Sequence, residues 1–460
     1  MIDSWSSPYT GGRPVAAVSR GTSSVNANRA VGRTRAGVAA LLLSVSVSAQ
    51  EAKPEPPKPE AKETKKEEPA VTSAFPLKFT SSLTVRQDFT DVNDQNDLLI
   101  GDDRIDGLRS RIRFGIESAK AESIVGGGLR FSTGEAANPA SPFVRFGDAL
   151  RPAIFNIDRY FLTVKPLKDR ERLVFTAGKM PQPLYRAGAG TWRSELLWDD
   201  DVSPAGVAVQ ANLFKGGRPE RGVRVDNNLI YFVFEDITNN RFAGITGTSY
   251  MAGDQLKLTI PHLDLAGGYF HYTNLNVGLR APNFTPGEGA FLLPGTNPLL
   301  RGSGLQHTNN SINYGPGADG FVEDDFEIWN AAATWRFRVL GSRFGKPEVF
   351  LAGDYTYNAS TRIDRRGYAL TGGLTGGGFS GGPHPYTLHG TWRDVDADAV
   401  LATFADSDLG TGSSYKGFEL GGNYRISKNL LGLVQYFNFK GFPHKDEQVH
   451  RLFLDLIWDF

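Results

Sequence analysis

A period of two constrains this chain more than any other feature. Its last eleven residues, HRLFLDLIWDF (His450 to Phe460), set Leu452, Leu454, Leu456, Trp458 and Phe460 on one side of an extended segment. Arg451, Phe453, Asp455, Ile457 and Asp459 fall on the other. Successive side chains of a β-strand point to opposite faces, so this segment reads as a strand with one greasy face and one wetter face. Upstream, KFTSSLTVRQDF alternates Phe79, Leu83, Val85 and Phe89 with Lys78, Thr80, Thr84, Arg86 and Asp88. GLRSRIRFGIES sets Leu108, Ile112, Phe114 and Ile116 against Arg109, Arg111, Arg113 and Glu117.

Sixteen such segments can be read between Lys78 and Phe460: 78–90, 107–117, 122–132, 157–165, 171–179, 205–214, 227–236, 249–260, 264–274, 326–338, 347–358, 366–375, 384–394, 415–427, 429–440 and 448–460. Short connections (SAKA, PLKDR, PHLD, SKN) interleave with long ones at 91–106, 133–156, 180–204, 275–325 and 395–414. That asymmetry predicts an all-β fold, a transmembrane up-and-down antiparallel β-barrel of about sixteen strands, with short turns at one end and long loops at the other. A soluble sandwich has no reason for it. At this strand number the bore is too wide for wall side chains to fill, so a water channel is expected. Composition agrees: no apolar run reaches the length of a membrane-spanning helix, yet 11% of the residues are aromatic and 53 are glycine. Fifty basic residues balance fifty acidic ones, so no global field points to nucleic acid, and cysteine is absent.

The N-terminal part is of another kind. Arg33 and Arg35 precede the apolar run AGVAALLLSVSVSA, which closes on Val47-Ser48-Ala49, the pattern of an export signal cleaved before Gln50. EAKPEPPKPEAKETKKEEP (51–69) holds five prolines among alternating lysine and glutamate and cannot build a packed core. The expected organisation is an N-terminal extension and signal peptide over 1–49, a disordered periplasmic linker over 50–76 and an outer-membrane barrel over 77–460.

Over most of that barrel the sequence resembles the "putative porin" family of Gram-negative outer membranes. The resemblance is carried by RSRIRFGIES, GGGLRFSTGEAANP, FTAGKMPQP, the LLWDDDVSPAGVAVQ stretch around Trp198-Asp199, and the terminal strand. It implies a bacterial outer-membrane channel for passive diffusion of small hydrophilic solutes or ions, not an enzyme. It also implies a homotrimer set in lipid and lipopolysaccharide. Trp458 and Phe460 resemble the terminal aromatic signal read by the barrel-assembly machinery. The alternative function is a substrate-specific channel or an export channel for anionic polysaccharide.

Alternation puts Arg86, Arg109, Arg111, Arg113, Arg130 and Arg159 on the inner face of neighbouring strands. Guanidinium stays charged at any working pH, so a column of them lowers the barrier for anions. The competing expectation is that wall carboxylates such as Asp88 and Glu117 neutralise them. Loop 133–156 is long enough to fold inward as a constriction and offers Glu135, Arg145 and Asp148. Catalytic and metal sites are not expected. GFSGG (378–382) matches G-x-S-x-G in letters but lacks the following helix. Asp199-Asp200-Asp201 could hold a divalent cation at the lipopolysaccharide level but reads more readily as a solvated loop tip, and the seven histidines show no metal-ligand spacing. No cofactor is implied.

Overall fold

A computed structural model describes residues 77–93, 104–118, 123–134, 143–146, 155–217, 222–240, 245–275, 326–338, 347–361, 364–377, 385–401, 404–406, 408, 413–441 and 447–460. Met1–Thr72 and Ser73–Phe460 separate as two units, and only the second contains described residues. The export signal, the linker, GFSGG and the 276–325 insert lie outside them.

The strands, in chain order, are β1 (Leu77–Asn93), β2 (Arg104–Ser118), β3 (Val125–Thr133), β4 (Val144–Arg145), β5 (Phe155–Val164), β6 (Leu173–Lys179), β7 (Ala205–Gly216), β8 (Val223–Asn240) and β9 (Ile245–Ile260). There follow β10 (Leu263–Thr273), β11 (Phe326–Arg338), β12 (Glu348–Asn358), β13 (Arg366–Gly376), β14 (Tyr386–Val395), β15 (Tyr415–Ser427), β16 (Leu430–Gly441) and β17 (Glu447–Asp459). Apart from β4, each strand pairs antiparallel with its neighbours in sequence, and β1 pairs with both β2 and β17. The result is a closed barrel of sixteen wall strands. Closure leaves no sheet edge, as backbone groups in hydrocarbon require. The terminal segment is the closing strand: Val85 lies opposite Leu456 and Leu83 opposite Trp458, and the Phe460 N–H donates to the Ser81 carbonyl at 3.2 Å.

The period of two sorts side chains between solvents. Along β12, Phe350, Ala352, Asp354, Thr356 and Asn358 are buried toward the bore, while Leu351 and Tyr355 are exposed outside. On β17, Phe453 and Asp455 point inward, and Leu454, Leu456 and Trp458 outward. On β11 the outward Trp329 and Trp335 are both about half exposed. Six residues of strand separate them, roughly 20 Å, close to the height of an apolar band bordered by aromatic girdles.

The two-residue β4 modifies the wall. β3 pairs with β2 only over Arg113–Glu117, and farther along β2 it is β4 that pairs, Arg145 opposite Arg109 and Val144 opposite Ser110. The largest apolar cluster lies inside the barrel, where Trp198, Leu196, Leu197 and Phe404 pack with wall side chains such as Phe232, Phe270 and Phe437. The bore is therefore not an open cylinder. Polypeptide fills part of it.

Candidate functional site: a pinched, charged bore

The segment that crosses the bore among the described residues is 180–204, between β6 and β7. The Met180 N–H donates to the Pro204 carbonyl at 2.8 Å and closes its base. From there it is tied to the opposite wall one strand after another. Tyr185 exchanges two hydrogen bonds with the Gln255 amide of β9, at 2.7 and 3.0 Å. The Tyr185 hydroxyl and the Gly188 N–H both donate to Thr334 Oγ1 of β11, at 2.7 and 2.8 Å. Ser194 Oγ donates to Asp354 Oδ2 of β12 at 2.6 Å, and Asn330 holds the other oxygen of that carboxylate at 2.7 Å. The tip turns at Gly190, whose φ of 61° favours a residue without Cβ. A Cβ there would lie 2.2 Å from Thr387 Oγ1 on β14.

A second inward piece, residues 404–406 with Asp408, between β14 and β15, packs on the first. Trp198 stacks on Phe404 with ring centroids 4.7 Å apart. The Asp199 N–H donates to the Phe404 carbonyl at 2.6 Å, and the Asp406 N–H to the Glu195 carbonyl at 3.1 Å. Asp406 pairs with Arg393, which also holds Glu419 at 2.7 Å, and Glu419 takes a 2.7 Å hydrogen bond with His389.

All six arginines expected to line the pore lie on inner wall positions, and they are not bare. Arg86 bonds Asp455 at 2.9 Å and Asp408 at 2.8 Å, with its guanidinium 4.1 Å above the Phe453 ring. Arg109 bonds Asp88 at 2.9 Å, and Arg451 shares that carboxylate. Arg111 and Arg113 both hold Asp201 at 2.9 Å. Arg130 bonds Asp158 at 2.6 Å. Arg159 donates to Ser203 Oγ at 2.9 Å. Asp88 is thus a neutralising group, as the competing expectation has it. Among the described residues, though, no ion pair joins these arginines to Glu117, and three partners, Asp201, Ser203 and Asp408, come from the inward segments.

Of the residues named for a constriction in 133–156, Glu135 and Asp148 lie outside the described residues, and Arg145 stands in β4 beside Arg109. Phe143 from that loop meets the bore, 4.4 Å from the Arg86 guanidinium and 4.8 Å from that of Arg111. The triple aspartate is not a solvated tip. Asp199 is buried and Asp201 clamped by arginines, leaving Asp200 exposed and paired with Arg186. Burial raises the affinity of Asp201 for a proton, but Arg111 and Arg113 outweigh it and hold the carboxyl well below the usual range. Sequence reasoning missed 180–204 as the inward segment. One signal was available: Leu196-Leu197-Trp198 is too apolar for a loop in water.

A closed sixteen-strand barrel with a lipid-facing apolar exterior, a polar inner wall and polypeptide tied across its bore defines an outer-membrane channel protein. A family model described as "Putative porin" matches residues 67–232 and 385–460, more than half of the chain, and the chain belongs to that family. A comparison with curated proteins gives no match. Among solved structures, the chain is similar to a mutant of Rh. blastica porin, with 12% identity, 84% of this chain and 100% of that chain covered, and a TM-score of 0.40. It is also similar to the high-pH structure of Pseudomonas putida OprB, with 11% identity, 84% and 94% covered, and a TM-score of 0.46. At such TM-scores neither likeness adds to what the strand register establishes.

Proposed function

We propose that the protein is a passive diffusion channel for small hydrophilic solutes and ions, its throughput set by the inward segments 180–204 and 404–406 with Asp408. The observation that carries this is the tethering of 180–204 to side chains of β9, β11 and β12 inside a closed barrel, which narrows the bore and leaves beside the segment a polar chamber of about 170 Å³. Porin family membership and the barrel argue for a channel over an enzyme. In the same reading, residues 1–49 direct export, 50–76 form a periplasmic linker, and the first and last strands both have their free ends in the periplasm. The barrel assembles with the barrel-assembly machinery into a trimer among lipid and lipopolysaccharide.

Anion preference would require the arginine column to be free, and five of its six members hold carboxylates. The same pairing weighs against an export channel for anionic polysaccharide, which needs an unbroken basic track. The test is conductance of the purified full chain in planar bilayers. Stepwise ohmic currents are expected, and a heat-modifiable barrel that inserts without current overturns the proposal.

A further inference from the structure

The outer face of the barrel carries a pair of charges that contact with hydrocarbon does not explain. Lys416 of β15 and Lys440 of β16 stand directly opposite each other in the antiparallel register. Both point away from the bore: Lys416 follows the buried Tyr415, Lys440 follows the buried Phe439, and both are exposed. Directly opposed side chains have their Cβ atoms about 5 Å apart, and like charges so placed repel. An anion seated between them removes that cost. Lys416 Nζ bonds Asp394 of β14 at 2.8 Å and lies 5.9 Å from the Trp392 ring centre. The Lys440 ammonium has no ion pair with any described residue, and its other cross-strand neighbour is the uncharged Gln448 of β17.

The two lysines stand at headgroup depth. Trp392 lies opposite the outward Phe418 in register, and Tyr436 packs 6.1 Å from Phe418. Aromatic side chains of this kind border the apolar band of a membrane barrel, where hydrocarbon gives way to headgroups. Lys416 lies two residues beyond Phe418 on its strand, and Lys440 four beyond Tyr436, both toward the rim. That rim is the one opposite Phe460, since Trp458 pairs with Leu430 at the other end of β16.

Farther down, the same strands are hollowed on their outer face. Gly422 of β15 and Gly432 of β16 leave an apolar depression of about 680 Å³ among Leu388, Ile426, Val434 and Leu456. Its upper edge at Val434 lies six residues along β16 from Lys440, roughly 20 Å of strand. With the wall strands tilted by about 40°, that is about 15 Å of depth, half of the hydrocarbon core. One leaflet therefore separates the lysine pair from the hollow.

We infer that this face binds a phosphorylated lipid of the outer leaflet, its phosphate between Lys416 and Lys440 and an acyl chain lying along β15 and β16 into the depression. Phosphate oxygens accept from both ammonium groups at once, in charge-assisted hydrogen bonds. Lysines at a membrane surface draw anionic headgroups in the same way. Two facing cations above an apolar hollow match a charged head on an apolar tail, whereas a second copy of this wall would bring no anion to the pair. The inference rests on the orientation given above, with both chain ends in the periplasm, which sets the lysine rim in the outer leaflet.

The experiment is native mass spectrometry of the full-length protein in detergent, titrated with lipid A, with lipid A stripped of its phosphates and with inorganic phosphate. Retention of lipid A is expected, with Lys416→Gln and Lys440→Gln each weakening it about five-fold. Gly432→Leu, which fills the depression, is expected to weaken it too. Lys215→Gln, exposed at the opposite rim, is expected to leave it unchanged. Heat-modifiable gel migration confirms that each variant is a closed barrel. Equal retention of the dephosphorylated lipid, or displacement of lipid A by equimolar inorganic phosphate, overturns the inference. So does unchanged affinity in the Lys416, Lys440 or Gly432 variants, or a loss in Lys215→Gln as large as theirs. Variants that alter the oligomeric state and leave lipid retention as in wild type assign the face to a second copy, and overturn it as well. Orientation is read separately. The chain has no cysteine, so His444→Cys, between β16 and β17, reports the side on which that rim lies. Labelling of intact cells by a membrane-impermeant maleimide is expected. Labelling only after the outer membrane is opened overturns the orientation, and with it the outer-leaflet source, even where the purified protein retains lipid A.

Discussion

Both carboxylate oxygens of Asp201 lie 2.9 Å from Nη1 of Arg111, joining the end of the inward segment to a wall strand 90 residues earlier in the chain. Arg113 Nη2 shares the same carboxylate at 2.9 Å. One aspartate from a long connection therefore pairs with two members of what looks, in sequence, like a basic column.

Asp201→Asn removes the shared acceptor and leaves two guanidinium groups facing the bore. Hydrogen bonds to charged groups contribute about 1.5–3 kcal/mol, and a loss of this size is expected in unfolding measured in detergent. The reversal potential should move toward anions. Because the Asp201 carboxyl is held below its usual range, its stabilisation is present above the ordinary carboxylate value, roughly pH 3.9, and is lost as the pH falls below that. The asparagine variant should show no such acid loss. Equal acid sensitivity of the two proteins would count against this clamp.

Gly190→Ala puts a methyl group against Thr387 and Thr375 at a left-handed backbone position. The tip of 180–204 must then withdraw from the β14 wall. Single-channel conductance is expected to change while heat-modifiable migration stays that of a closed barrel. Conductance identical to wild type would mean the tip does not help to set the bore.

Leu454→Arg tests the outer face. Leu454 is exposed outside the barrel, opposite Gln87 of β1 and Val434 of β16. An arginine facing lipid near the bilayer midplane costs about 2–4 kcal/mol. Urea unfolding in lipid vesicles should register that cost. A loss below about 1 kcal/mol would put this position at the interface instead.

Phe460→Ala, or removal of the residue, is expected to reduce the amount of barrel reaching the outer membrane. The side chain is 64% exposed, so its removal costs the fold little packing, while the backbone contact with Ser81 persists in the alanine variant. Assembly yield rather than unfolding stability is the sensitive readout. Unchanged surface levels would deny the terminal aromatic a part in assembly.

The barrel is legible in the sequence because its physics is local. A strand between lipid and water must alternate, so Leu454 and Asp455 announce their faces by adjacency. All sixteen expected segments begin and end within four residues of the wall strands, and even 227–236, which alternates poorly, falls inside β8. The inner position of Arg86, Arg109, Arg111 and Arg113 follows from the same parity.

What fills the bore was decided only in three dimensions. Segment 180–204 carries no period, and the groups that hold it are Gln255, Thr334, Asp354 and Arg111, single side chains far away in the chain. Arg86 finds its carboxylate at Asp455, 369 residues on, because β1 and β17 close the barrel. Net charge inside a channel is a sum over such partners. A column of arginines can therefore be read from one strand, whereas the sign of the field that a passing ion meets depends on acids delivered by segments with no pattern of their own.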